Sequence, residues 1–225
     1  MKIILKYIIS LKILLWACIA IYPQSYPFRS ISVAEGLQDL IVNALYKDSL
    51  GYIWIGTASS LERFDGVHLK SFPIPEEGKR KDVNTIIEMP GHELWMGNRT
   101  GLWKVNGEKL LRVAADTIRS GAYSLCSDGK GTLYIGSESG LFIYNSKGVE
   151  RILLDPNVLS GANFIMGMAL DDRDILWVIT RKGLYSVVLS GKSILFHPCL
   201  MNGQVYEDGY NNIYSLGSML YLGTT

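Results

Sequence analysis

The chain has 225 residues, 48% of them hydrophobic, and its 22 lysines and arginines against 21 aspartates and glutamates leave a formal net charge of +1. That balance describes a globular chain of ordinary length and excludes a nucleic-acid surface built on clustered cations. The densest basic group, Lys79-Arg80-Lys81, follows Glu76-Glu77 and reads as a solvated loop.

Residues 1–25 stand apart. Lys2, Lys6 and Lys12 lead into the uncharged run Ile13 to Tyr22, then Pro23-Gln24-Ser25, the charged, apolar and cleavage regions of a secretory signal peptide. The apolar run is shorter than the roughly 20 residues that span a bilayer. An uncleaved anchor is the alternative, and lipidation at Cys18 is disfavoured by Trp16 where a small residue is wanted. Export would leave Cys126 and Cys199 in a disulfide-permissive compartment, where their settings favour two unpaired thiols.

Tyr26 to Val33 is expected to form an outer strand without a blade of its own, one that closes a ring by pairing with the last blade. A unit then repeats. Its marker is Ile53-Trp54-Ile55-Gly56-Thr57, Leu94-Trp95-Met96-Gly97-Asn98, Leu133-Tyr134-Ile135-Gly136-Ser137, Leu176-Trp177-Val178-Ile179-Thr180 and Leu220-Tyr221-Leu222-Gly223-Thr224, with central aromatics 41, 39, 43 and 44 residues apart. About ten residues upstream of each lies an apolar strand (Val42–Tyr46, Val83–Ile87, Ala122–Cys126, Phe164–Met168, Ile213–Leu216), joined to the marker by Gly- and Asp-rich turns. Downstream come a third strand, such as Leu61–Phe64 and Gly101–Val105, and a shorter fourth, such as His68–Phe72 and Lys109–Val113. Asp65-Gly66 and Asn106-Gly107 between them favour two-residue hairpin turns.

A four-stranded antiparallel meander every forty-odd residues, without helical periodicity, predicts an all-β chain with a β-propeller fold. Four complete blades (about 34–73, 82–114, 120–155 and 162–198) and a partial fifth (210–225) are expected, part of a larger ring and the N-terminal piece of a longer protein. The glycine after each aromatic permits close backbone approach, so Ile179 in its place predicts looser packing in the fourth blade. Trp54, Trp95 and Trp177, at one register position of a two-sided strand, are expected in the core rather than on a sugar-stacking platform.

The stretch Val42 to Thr57, continuing through Leu61-Glu-Arg-Phe-Asp-Gly66, closely resembles the two-component regulator propeller repeat, and Ser32-Val-Ala-Glu-Gly-Leu37 resembles the segment that opens such sensors, particularly the hybrid two-component sensors of Bacteroidetes. The resemblance implies a periplasmic sensor, tethered to the inner membrane, whose propellers precede an immunoglobulin-like connector, a transmembrane helix and a histidine kinase. Many members respond to glycans or their breakdown products, and a homodimer is possible in the full-length sensor. No such later part lies in this sequence, so a small molecule or oligosaccharide is the expected partner, membrane contact would come only through the signal segment or a downstream helix, and no cofactor is implied.

In a meander the connections between strands two and three, and from strand four to the next blade, emerge at one end. That end varies between copies, and recognition lives on variable loops held by a rigid scaffold. Arg99, Glu138 and Arg181 are its candidate ligand contacts, with solvated turn residues the bland alternative. No catalytic or metal residue is assigned: His68, His92 and His197 fall in different blades, and Gly136-Ser-Glu-Ser-Gly140 puts Glu138 where a nucleophile elbow needs serine. A protein-binding scaffold and, less favoured, a glycosidase or lyase are the alternative functions.

Overall fold

The computed structural model describes residues 30–75, 80–190, 193–201, 204–205, 210–217 and 219–224. The signal segment, residues 26–29 of the expected outer strand, and Glu76, Glu77 and Lys79 of the charged loop lie outside them. The chain divides into two compact units, Met1–Ile31 and Ser32–Thr225, and the second holds all that follows.

It opens on a 3-10 turn, Val33–Glu35, where a continuation of the expected strand would have placed Val33. Ser32 and Glu35 form a reciprocal capping box, which satisfies the first backbone N–H groups locally and favours a turn over a strand. The first blade is β1 (Val42–Lys47), β2 (Ile53–Thr57), β3 (Leu61–Phe64) and β4 (Leu69–Phe72). The second is β5 (Val83–Met89), β6 (Glu93–Asn98), β7 (Gly101–Asn106) and β8 (Lys109–Val113). The third is β9 (Ala122–Ser127), β10 (Leu133–Ser137), β11 (Gly140–Asn145) and β12 (Gly148–Ile152). The fourth is β13 (Ile165–Leu170), β14 (Ile175–Thr180), β15 (Gly183–Ser190) and β16 (Ser193–Pro198). A short hairpin not foreseen in the sequence, β17 (Leu200–Met201) with β18 (Gln204–Val205), precedes the two-stranded fifth unit, β19 (Tyr210–Leu216) and β20 (Met219–Thr224). Every four-stranded sheet is an antiparallel meander in chain order, the propeller-blade architecture read from the repeat.

The core lies between blades, not within them. Trp54, Leu61 and Phe72 of the first blade pack with Val83, Ile86, Leu94 and Met96 of the second, all under 9% exposed. The glycine after the aromatic seats the neighbour. A Cβ at Gly56 would stand 2.6 Å from Val83 Cγ1, at Gly97 2.6 Å from the Ala122 carbonyl oxygen, and at Gly136 2.5 Å from Ile165 Cγ2.

The fourth blade corrects one expectation. Ile179 is fully buried and its blade is not loosened, because the small residue has moved across the ladder: Gly167, paired with Ile179, takes the place that Ala44 and Thr85 fill opposite Gly56 and Gly97. A Cβ on Gly167 would sit 3.4 Å from Ile179 Cδ1 and 3.3 Å from Ile213 Cγ2. Trp54 and Trp95 are core, as expected, while Trp177 is half-buried. Cys126 and Cys199 are free thiols, and burial pushes Cys126 up to about 11.

Each inner strand carries a β-bulge at one register position, which leaves Asn43, Asn84, Tyr123, Met166 and Asn211 as the extra residue. A bulge re-aims one side chain out of the alternation of its strand. Recurring in five copies, it falls at the same end of every blade as the loops between the second and third strands.

Candidate functional site

Arg99, Glu138 and Arg181 occupy the same loop position in three successive blades, directly after β6, β10 and β14. The residue ending each of those strands is buried and polar, and it locks the turn that follows. Asn98 Oδ1 accepts from the Thr100 and Gly101 backbone N–H groups (2.8 and 3.1 Å), from Thr100 Oγ1 (2.7 Å) and from Trp103 Nε1 (3.0 Å). Ser137 Oγ donates to the Gly140 carbonyl and Thr180 Oγ1 to that of Gly183 (2.8 and 3.1 Å). Arginines of the outer strands add a second latch: Arg112 Nη2 donates to the Thr100 carbonyl (2.6 Å) and Arg151 Nε to that of Ser139 (2.8 Å). The loops therefore hold their outer side chains with little ordering left to do when a ligand binds.

Behind this row stand two rings that the repeat did not reveal. Tyr123, the bulged residue of β9, and Phe164, at the end of the Gly161–Asn163 turn, lie with centroids 5.3 Å apart at 33°. The Arg181 guanidinium lies 3.9 Å from the Phe164 ring centre, a cation–π contact. Arg99 Nε pairs with Asp82 Oδ2 at 3.0 Å. Glu138 accepts from the Gly121 N–H at 3.5 Å and from the Tyr123 hydroxyl. Burial, then the Glu138 hydrogen bond and charge, push the Tyr123 phenol up to about 12. Glu138 and Arg181 are thus joined through Tyr123 and Phe164, while Arg99 is held by Asp82 at the equivalent loop position of the preceding blade. Glu138→Gln is expected to bring the Tyr123 ionisation back toward the ordinary value, as an ultraviolet titration would show.

The connector into the fourth blade is built to stay in place. Asn163, fully buried, accepts from the Leu154 and Asp155 N–H groups (2.8 and 3.1 Å) and donates to the Asp155 and Asn157 carbonyls, both at 2.9 Å. Its four bonds pin residues 154–163 beside Phe164.

At the opposite end, a cavity of about 210 Å³ lies between the first two blades, lined by Tyr52, Trp54, Arg63 and His92 among others. Beside it Ser49, Glu88 and His92 meet across 43 residues of sequence: Ser49 Oγ is 2.6 Å from Glu88 Oε1 and 2.8 Å from His92 Nδ1, and His92 Nδ1 is 3.0 Å from Glu88 Oε1. A nucleophilic triad needs serine on one imidazole nitrogen and the carboxylate on the other. Here both share Nδ1, so the cluster is a clasp between blades. Burial pushes the Glu88 carboxyl up, but hydrogen bonds from Ser49 and His92 outweigh it and hold the group below its ordinary value near 4.5. The stability it contributes is therefore present above that value and lost as pH falls through the lowered one. Glu88→Gln is expected to remove this acid-limb sensitivity, read from urea midpoints at neutral and acid pH. Among the described residues, no three His, Cys, Asp or Glu side chains gather as a metal site.

Residues 36–59 match the sequence model of the two component regulator propeller family. No curated protein matches the chain. Among solved structures, the extracellular domain of a hybrid two component system from B. thetaiotaomicron superposes with a TM-score of 0.69 at 20% identity, over 84% of this chain and 26% of that one. PorZ, a surface component of the type-IX secretion system of Porphyromonas gingivalis, gives 0.62 at 19% identity, over 88% and 33%. Virginiamycin B lyase from Staphylococcus aureus gives 0.59 at 17%, over 80% and 62%. These likenesses establish the propeller fold, and the chain spans about a quarter of the length of the two-component domain it matches.

Proposed function

We propose that this chain is an extracytoplasmic ligand-recognition propeller of a two-component signal-transduction sensor, that it performs no catalysis itself, and that it binds an oligosaccharide or its breakdown product across Arg99, Tyr123, Glu138, Phe164 and Arg181. The observation that carries the reading is the row itself: two ring faces flanked by paired charges on loops latched by buried polar side chains. Aromatic faces stack on the C–H surface of a sugar ring, while guanidinium and carboxylate groups bond its hydroxyls in directions that set specificity. The regulator-propeller match at residues 36–59 and the likeness to the B. thetaiotaomicron extracellular domain support the signalling context. The same row would serve a protein partner in a scaffold, a reading that the likeness to PorZ favours.

Screening the purified protein on an oligosaccharide array, then measuring each hit by calorimetry, separates the two. Saturable small-ligand binding that Arg99→Ala and Arg181→Ala each weaken about tenfold is expected, since a charge-assisted hydrogen bond contributes about 1.5 kcal/mol or more. An array without hits, beside tight capture of a protein partner through the same loops, would favour the scaffold.

A further inference from the structure

A cation stands at one register position of the third strand in both of the first two blades, and the two blades treat it differently. In the second blade Lys104, opposite Trp95 on the ladder, holds its ammonium 5.5 Å from the centre of that indole and bonds Glu93 Oε1 at 2.5 Å. In the first blade Arg63 stands opposite Trp54 in the same way, its guanidinium 5.7 Å from the indole centre. Glu93 lies two residues before Trp95, but the residue two before Trp54 is Tyr52, which brings a ring in place of a carboxylate. The third and fourth blades carry Ile143 and Ser186 at this position, with no charge to satisfy.

Arg63 is half-buried, and its guanidinium lies 4.3 Å from the Tyr52 ring centre. The two rings attract the positive charge, but they supply none of the oxygen acceptors that its in-plane N–H groups call for. Nε is buried and bonds to nothing, and among the described residues the side chain enters no ion pair or hydrogen bond. A buried donor on a charged group is costly to leave unmatched.

The cavity of about 210 Å³ between the first two blades lies at this point, with Arg63, Tyr52 and Trp54 in its wall beside Phe72, Leu94 and Val105. The carboxylates that share it are already engaged. Asp48 Oδ1 accepts from the Leu50 and Tyr52 N–H groups (3.1 and 2.8 Å) and Oδ2 from Trp54 Nε1 (2.8 Å). Glu88 Oε2 accepts from the Ser49 N–H (2.7 Å) and Oε1 from Ser49 Oγ (2.6 Å), with His92 Nδ1 at 3.0 Å. Arg63 is the charged group of the wall whose hydrogen-bonding capacity is unspent.

We propose that this cavity binds a small carboxylic acid with an apolar body. Its carboxylate takes the place beside Arg63 that Glu93 holds beside Lys104, and its apolar part lies along Phe72, Leu94 and Val105. A planar carboxylate matches the fork of a guanidinium, and walls of low polarity strengthen such a pair relative to one in open water. The site is at the turn end of the blades, opposite Arg99, Glu138 and Arg181, so it is independent of the ligand row.

Benzoate and butyrate are the probes, with benzamide and butyramide as neutral counterparts of the same shape. Each is titrated into nitrogen-15-labelled protein at constant ionic strength while the Arg63 Nε–Hε resonance is followed, and calorimetry gives the affinities. Both carboxylates are expected to shift that resonance saturably and to bind at least about tenfold more tightly than their amides, the ratio a charge-assisted hydrogen bond supplies. Arg63→Gln, with its fold checked by far-ultraviolet circular dichroism, is expected to weaken benzoate binding by about tenfold or more. Tyr52→Glu installs the partner that the second blade has and is expected to abolish benzoate binding, because the new carboxylate occupies Arg63 from within the chain. Absence of a shift with both carboxylates up to their solubility, amides that bind as tightly as the acids, or benzoate binding undiminished in either variant overturns the proposal.

Discussion

Gly97→Ala is expected to destabilise the protein by about 3 kcal/mol, the upper part of the usual range for overpacking a close-packed contact. The new methyl would lie 2.6 Å from the Ala122 carbonyl oxygen, 2.7 Å from Thr85 Cγ2 and 2.9 Å from Ala122 Cβ. Two of those three atoms belong to the backbone or are fixed to it, so no rotamer change relieves the clash. The second and third blades must move apart, which loosens Trp95, Ile118, Leu125 and Ile135 together. Gly223→Ala, at the same repeat position without a neighbouring blade, is the control. Measured at a concentration where the protein is monomeric, it should stay within about 0.5 kcal/mol of wild type. Urea midpoints at constant m-value report both, and equal losses at the two glycines would mean that the seat is not what holds the blades together.

Asp171→Ala should cost a further distinct amount, about 3 kcal/mol at neutral pH. The carboxylate, 2% exposed, closes the turn between β13 and β14: Oδ1 accepts from the Arg173 and Ile175 N–H groups (2.9 and 3.0 Å), and Oδ2 from Arg173 Nη2 and Trp177 Nε1 (2.7 and 3.1 Å). Burial raises its pKa, but those donors outweigh burial and lower the group to about 2. A depressed carboxyl contributes stability above its ordinary value near 3.8, and that contribution is lost as pH falls toward 2. A shift of this size corresponds to about 2 kcal/mol of the total. Wild type and Asp171→Ala should accordingly converge in stability between about pH 4 and pH 2. Curves that remain parallel through that range would remove the carboxylate from the account.

Asp48 repeats the arrangement one end of the stack away, with Oδ1 on the Leu50 and Tyr52 N–H groups and Oδ2 on Trp54 Nε1 at 2.8 Å. This explains why the fold was so legible in the sequence. The turn aspartates Asp48, Asp128 and Asp171, the glycines of four markers and the aromatic of all five answer demands that recur in each blade, a turn to close and a neighbour to seat, and recurring demands leave residues at fixed spacing. The register of Trp54, Trp95, Tyr134, Trp177 and Tyr221 followed directly.

What the repeat concealed depends on residues far apart in the chain. Gly167 compensates for Ile179 across a strand pair, so the fourth unit read as looser than it is. Tyr123 stands at the bulge position that holds asparagine in three other units, and nothing in a period of two marks a bulged residue as belonging to the loop end. The variable positions Arg99, Glu138 and Arg181 were visible because they differ between copies. Their partners were not, since Asp82, Tyr123 and Phe164 stand at the start of the first strand of the same blade, 15 or more residues upstream of the loop they contact. The Ser49, Glu88 and His92 clasp was hidden for the same reason.

Recognition on the latched loop end would leave a footprint on the backbone there. Hydrogen exchange of the protein with and without an oligosaccharide taken from the array tests it most directly. New protection is expected at residues 99–101, 121–123, 138–140 and 181–183, with the turns at 48–52 and 128–132 unchanged. Protection confined to those turns, or to the exposed faces around Leu45 and Tyr221, would contradict it.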